Sequence, residues 1–187
     1  MAHYLDIQLR PDPEISPSHL LAALYAKLHR ALVRLESDSI GVSFPGHDET
    51  AHRLGDGLRL FGPMDDLAQL MALDWLSGIR DHVNVGNASP VPPNAAHRTL
   101  RRVQAKSNPD RLRRRQMKRH GLTEAQACEQ VPDSVEERLR LPFVQLTSAS
   151  TGQTFRLFLR LSEPQPIEVD GRFNAYGLST SATIPWF

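Results

Sequence analysis

Ten of the chain's 22 lysines and arginines fall between Arg98 and His120, in the company of one acid, Asp110. That segment carries +9 and the remainder −8, so the net charge of +1 conceals a strongly cationic stretch. Crowding like charges costs self-repulsion, and binding a polyanion is the usual reason a fold tolerates it. At about 100° per residue, Arg111, Arg114, Arg115, Lys118 and Arg119 share one broad arc of a helix, with Leu112, Gln116 and Met117 opposite. A merely solvated cationic helix normally carries Glu or Asp four residues from each base, and no acid interrupts this arc. Nor is there an apolar face to suit a membrane surface. The chemistry this pattern predicts is insertion into a nucleic-acid groove.

Two further sets of residues could do chemistry. Arg98, Leu100, Arg102 and Gln104 recur every second residue and share one side of a strand. Arginine can donate two hydrogen bonds to guanine O6 and N7 and glutamine can pair with adenine N6 and N7, so Arg102 and Gln104 could read successive purines. A strand with an exposed polar face has the same pattern. His29 stands with Ala22, Ala26 and Val33 in a narrow row beside the main apolar stripe of a helix. Small residues permit close approach, so the row predicts a second contact face toward the C-terminal half with His29 at the seam. Position alone leaves a packing histidine and a proton acceptor both open.

The elements that must position these residues follow from apolar period and boundary residues. Leu5, Ile7 and Leu9 alternate as a strand. Ser16 as N-cap and Pro17 at the first helical position open a helix to about Leu35, with Leu20, Leu24, Leu28, Ala31, Leu32 and Leu35 on its main face. Strands at Ile40–Phe44 and Leu58–Phe61, a short helix from Asp65, and a strand at His82–Val85 complete a βαββαβ order, which is the ferredoxin-like arrangement. Pro90, Pro92 and Pro93 disfavour regular structure and predict a linker. The expected fold is therefore α+β, with a ferredoxin-like domain over 1–93 and a mixed domain over 94–187. In the second, Asn108 as N-cap, Pro109 and Gly121 bound an arginine-rich helix at 109–120, helical segments continue to Arg140, and short strands lie around Phe143, Phe155–Leu161, Arg172–Tyr176 and Ile184.

Composition bounds the rest. The longest apolar run, Leu20–Ala26, is far shorter than the ~20 residues a membrane span needs. The N-terminus lacks the pattern of a secretory signal, and the expected compartment is the cytoplasm. Cys128, the single cysteine, allows neither an internal disulfide nor a thiolate zinc site. His47, Asp48, Glu49 and His52 lie among turn residues without a helical i, i+4 histidine pair, so no metal site is expected.

The run RVQAKSNPDRLRRR from Arg102 to Arg115, STGQTFRLFLR from Ser150 to Arg160, YGLS from Tyr176 to Ser179 and the terminal PWF together resemble the CRISPR repeat-processing endoribonucleases of subtype I-F, the Csy-type members of the Cas RNA-processing family. The resemblance spans essentially the whole chain. It implies a ferredoxin-like domain joined to a less regular one with an arginine-rich helix. It also implies recognition of a repeat stem-loop, and a metal-independent cut at the base of the stem that leaves a 2′,3′-cyclic phosphate and a 5′-hydroxyl, with no cofactor. It makes His29 the general base, has Ser148 hold the 2′-hydroxyl with Ser150 near the scissile region, and has Tyr176 orient the imidazole. By the same resemblance Arg102 and Gln104 meet base edges low in the stem, and Arg115 and Arg119 the major groove. Arg114, Lys118 and His120 meet phosphates or make nearby contacts, and Phe155 stacks on the terminal base pair; Arg111 is an RNA-binding candidate from its place on the arc. Lys118 departs from the arginine associated with its position, and a point charge can still meet a phosphate though not with a forked contact. Retention of the product and assembly with other Cas proteins of a subtype I-F surveillance complex are implied too. From the residues alone, Ser148 and Ser150 suit a turn before Gly152, Tyr176 a core-edge phenol, and Phe155 a core position in phase with Leu157, Leu159 and Leu161. A noncatalytic stem-loop RNA-binding module and a DNA-binding regulator would use the same basic helix.

Overall fold

Ser16 stands in extended backbone and its hydroxyl accepts the His19 N–H, while Pro17 gives up no hydrogen bond at the first helical position. These two residues start helix α1, Pro17–Leu35, where the sequence predicts it. Its buried side, Leu20, Leu21, Leu24, Tyr25, Leu28, Ala31 and Leu32, covers one face of an antiparallel sheet. The structure is a computed structural model and describes residues 1–105, 109–132, 139–148 and 151–187.

That sheet is built from β1 (His3–Leu9), β2 (Gly41–Ser43), β3 (Gly57–Gly62) and β4 (Val83–Val85), with α2 (Met64–Ala72) between β3 and β4. The strand order is β2-β3-β1-β4 with antiparallel neighbours throughout. Leu5, Ile7 and Leu9 turn inward from β1, in the alternation the sequence shows. The proline run expected to be a linker is instead tied to this sheet. A two-residue strand β5, Ser89–Pro90, pairs with Tyr4 and His3, and Val91 N–H bonds to the Ala2 carbonyl. Proline is tolerated there because an edge strand leaves one row of N–H groups unused.

Two smaller antiparallel sheets follow. Strand β6 (Ala96–Arg98) pairs with β10 (Ile184–Trp186), and β7 (Leu100–Val103) and β8 (Phe143–Thr147) flank β9 (Thr154–Leu161). Val144, Leu146, Leu157, Leu159 and Leu161 join the same core as the first sheet, and α1 packs against β8. Residues Arg172–Tyr176, expected as a strand, form an irregular segment ending in a turn. The Asn174 carboxamide oxygen accepts the Tyr176 N–H at 2.8 Å, and the Gly177 N–H returns to the Asn174 carbonyl at 2.7 Å. An asparagine side chain offering the backbone this alternative outcompetes strand pairing.

By compactness the described chain falls into two units, Met1–Val103 with Leu141–Phe187, and Gln104–Arg140. The second contains α3 (Pro109–His120) and α4 (Glu124–Gln130). Thr123 starts α4 with a complete capping box to Gln126, and Ala127 is fully buried within the helix pair. The expected cap Asn108 lies outside the described residues.

Candidate active site and cationic helix

The row Ala22, Ala26, His29 and Val33 does form a second face of α1. Ala26, His29, Arg30 and Val33 make one wall of a cavity of about 380 Å³ whose other walls are Leu146, Thr147, Ser148, Phe155 and Tyr176. The alanines let α1 approach β8 closely enough to put a helix side chain beside a strand end.

His29 is held on two sides. Its Nδ1 lies 2.8 Å from the Ala175 carbonyl oxygen. A carbonyl has no hydrogen to give, so Nδ1 carries the proton, and the neutral ring's lone pair resides on Nε2. One face of the imidazole is covered by the Tyr176 ring, with centroids 3.8 Å apart and planes 4° from parallel. Stack and hydrogen bond together fix both the tilt of the ring and its tautomer. This is the state a general base requires.

The segment that supplies both contacts is itself anchored. The Tyr25 hydroxyl, from the buried side of α1, donates to the Tyr176 carbonyl at 2.7 Å. Burial, with a smaller contribution from nearby Tyr176, pushes the Tyr25 phenol well above its ordinary value of 10, so it stays a donor. The Val42 N–H in β2 bonds to the Gly177 carbonyl at 3.0 Å. Gly177 has φ +68°, and a Cβ there would lie 2.4 Å from Val42 Cγ2, so both backbone shape and space demand glycine.

Ser148 caps the turn after β8. Its Oγ accepts the Thr151 N–H at 3.3 Å, and its backbone bonds to Gln153 and Gly152. Ser150 lies outside the described residues. Phe155, half-buried on β9 opposite Leu146, both packs on the core and lines the cavity. Arg102, exposed on β7, holds its guanidinium 5.7 Å from the Phe155 ring centre. The alternation of Arg98, Leu100 and Arg102 spans two sheets, because Arg98 is in β6 with its Nε on the Ser162 carbonyl. Leu100 is buried while Arg102 is open to solvent. His29, Tyr176, Ser148 and Phe155 thus share one cavity, with Arg102 beside Phe155.

Gln104 and the α3 residues belong to the other unit. There Leu112, Gln116 and Met117 are partly covered, and Arg111, Arg114, Arg115, Lys118, Arg119 and His120 are exposed, the division the helical arc predicts. Arg113, which falls outside that arc, donates Nε to the Val131 carbonyl at 2.8 Å and reaches Asp110 at 3.8 Å. The helix's one acid thus lies within ion-pair distance of a partly covered arginine.

Around His47 the two carboxylates are otherwise engaged, and the buried His47 Nε2 has no hydrogen-bond partner among the described residues. Asp48 accepts the Ala51 N–H and faces Arg53, and Glu49 accepts the Leu161 N–H. Among the described residues no group of three or more His, Cys, Asp or Glu is placed to hold a metal ion, and no helix is long and apolar enough to cross a membrane.

Sequence reasoning missed the Ala175 carbonyl, Tyr25 and Arg30. Asn174 and Gly177, three residues apart, are a turn signal that could have located the first of these.

Residues 4–187 match the family model described as CRISPR-associated protein (Cas_Csy4), which places the chain among the CRISPR-associated proteins. It is 52% identical over 187 residues, the whole of both chains, to the CRISPR-associated endonuclease Cas6/Csy4 of Pseudomonas aeruginosa (strain UCBPP-PA14). It is 45% identical, again over the whole of both, to the CRISPR-associated endonuclease Cas6/Csy4 of Escherichia coli (strain UTI89 / UPEC). The chain belongs to the Cas_Csy4 family. A solved structure described as an RAMP protein binding different RNA substrates aligns over 98% of this chain and 99% of its own at 12% identity, with a TM-score of 0.34, a likeness too slight to add to the argument.

Proposed function

We propose that the chain is a metal-independent endoribonuclease that binds the stem-loop of CRISPR repeat RNA, cuts at the base of the stem and stays on its product. In this reading the βαββαβ unit is a ferredoxin-like domain, residues 1–93 carry the base and residues 94–187 the recognition surface. The ribose 2′-oxygen attacks the adjacent phosphorus as His29 Nε2 takes its proton. The bond from phosphorus to the 5′-oxygen breaks, and that oxygen is protonated as it leaves. The products are a 2′,3′-cyclic phosphate and a 5′-hydroxyl. Ser148 holds the 2′-hydroxyl with Ser150 near the scissile linkage, and Tyr176 keeps the imidazole turned toward it. Alignment of oxygen and phosphorus supplies much of the rate, since most sugar conformations are unproductive.

Arg102 and Gln104 read base edges low in the stem, and Phe155 stacks on the terminal pair. Arg115 and Arg119 enter the major groove, while Arg111, Arg114, Lys118 and His120 meet phosphates. Guide RNA bound this way would be handed to the other Cas proteins of a subtype I-F surveillance complex.

The observation that carries the reading is the Nδ1 contact to Ala175, which leaves His29 Nε2 as an acceptor in a cavity shared with Ser148. The test is a labelled repeat hairpin incubated with the protein and EDTA, followed by identification of the ends. Cleavage with cyclic-phosphate ends, abolished by one 2′-deoxy sugar at the cut, is expected. Cleavage that needs a divalent cation, or that survives the deoxy substitution, contradicts it.

A further inference from the structure

Arg30 lines the His29 cavity and also a neighbouring groove of about 280 Å³, whose walls include Lys27, Arg34, Asp74 and Trp75. On α1 the angular order from His29 is Val33, Ala26, Arg30, Arg34, Lys27, so the cations continue one side of the cavity around the helix. Arg30 and Arg34 are both exposed, and among the described residues neither has an ion-pair partner. Lys27 is fixed by donating Nζ to the Ser77 carbonyl at 2.6 Å. Asp74, the groove's carboxylate, lies 3.9 Å from Arg80. Trp75 is 8% exposed, and its indole N–H has no hydrogen-bond partner. Two unneutralised guanidinium groups on a path leading out of the cavity suit a chain of phosphates.

We infer that this groove binds the single-stranded RNA on the far side of the cut from the stem, with Arg30 on the first phosphate beyond the scissile one and Arg34 on a later phosphate. The inference rests on the proposed cleavage site, which sets Phe155 and Arg102 on the stem side of His29 and leaves the α1 side for the departing strand. It assigns Arg30 and Arg34 as determinants of flank binding.

The experiment uses full-length His29→Ala protein, so that RNA stays intact, and two hairpins. One ends at the nucleotide after the cut, and the other extends eight nucleotides further. Exposed ion pairs are individually weak, so two of them should make the extended RNA bind about fivefold more tightly. Arg30→Gln with Arg34→Gln should erase that ratio and lower the log-log salt slope for the extended RNA by about 1.4, at 0.7 per single-stranded phosphate contact. Both side chains are exposed, and circular dichroism checks that the double variant is folded. Equal affinity for the two RNAs in the parent, or an equal loss on both RNAs in the double variant, overturns the inference. Failure of the cleavage proposal is read separately, as an intact hairpin after incubation with the unaltered chain.

Discussion

Gly177→Ala should damage the site and the fold together, because the new methyl meets two independent obstacles. The backbone at φ +68° is left-handed, which costs an L-residue about 1 to 2 kcal/mol. The Cβ would also stand 2.4 Å from Val42 Cγ2 and 3.0 Å from Val42 Cβ, and Val42 is fully buried in β2. Overpacking of that kind costs about 1 to 3 kcal/mol. A total near 3 kcal/mol lowers Tm by roughly 6 to 12 °C in a chain of this size. Gly78→Ala is the internal comparison. Gly78 has φ +75° but nothing within 4 Å of the added carbon, so only the first cost applies, a fall of roughly 2 to 8 °C. The assay is a thermal melt of both variants beside single-turnover cleavage of the repeat hairpin. Relief of the Val42 clash moves the segment that carries the Ala175 carbonyl and the Tyr176 ring, so Gly177→Ala should slow cleavage at temperatures where it is fully folded, and Gly78→Ala should not. If Gly177→Ala melts no lower than Gly78→Ala and cuts normally, the reasoning about how this turn is anchored is wrong.

Other perturbations separate the remaining roles. Tyr176→Phe keeps the ring that stacks on His29 and should retain most single-turnover activity, whereas Tyr176→Ala should lose at least tenfold; loss in the Phe variant would transfer the role to the hydroxyl. Tyr25→Phe leaves the Tyr176 carbonyl without its donor, costing about 1 to 2 kcal/mol in a urea unfolding curve, with a slower cut in the same variant. Arg114→Gln with Lys118→Gln should weaken binding of all stem sequences alike and reduce the salt slope by about 1.4 to 1.8, while Arg115→Gln alone should relax sequence preference. Burial depresses the His47 pKa below its ordinary 6.5, outweighing the opposing pull of Glu49. The unfolded chain therefore binds the proton first, and stability falls as pH drops through 6.5 toward the folded-state value. His47→Gln should flatten that limb in melts recorded between pH 8 and 5.

The helices were legible where local chemistry writes their ends. Ser16-Pro17 and Pro109 mark starts that tertiary packing does not move, and the cationic arc of α3 is a fact of residue spacing alone. The second face of α1 was legible for the same reason, since the small residues at 22 and 26 announce a close neighbour. What the sequence could not disclose is which group would meet His29. The Ala175 carbonyl lies 146 residues away along the chain and is a backbone atom that any residue carries. The strand expected over Arg172–Tyr176 failed because Asn174 can satisfy its neighbours' N–H groups itself, a choice that apolar periodicity does not register. Likewise Pro90 reads as a breaker, yet an edge position beside β1 accepts it. Phe155 packs in part on the core and in part lines the cavity wall, which apolar alternation alone does not separate.

The most direct measurement compares His29→Ala with the unaltered chain on one repeat hairpin, taking the single-turnover cleavage rate and the Kd from the same preparations. A general base contributes about 10²- to 10⁴-fold, so the rate should fall by at least 100-fold while Kd stays within about twofold. Cleavage at an undiminished rate, or a loss of binding large enough to account for the lost rate, would contradict the assignment of His29 as the proton acceptor.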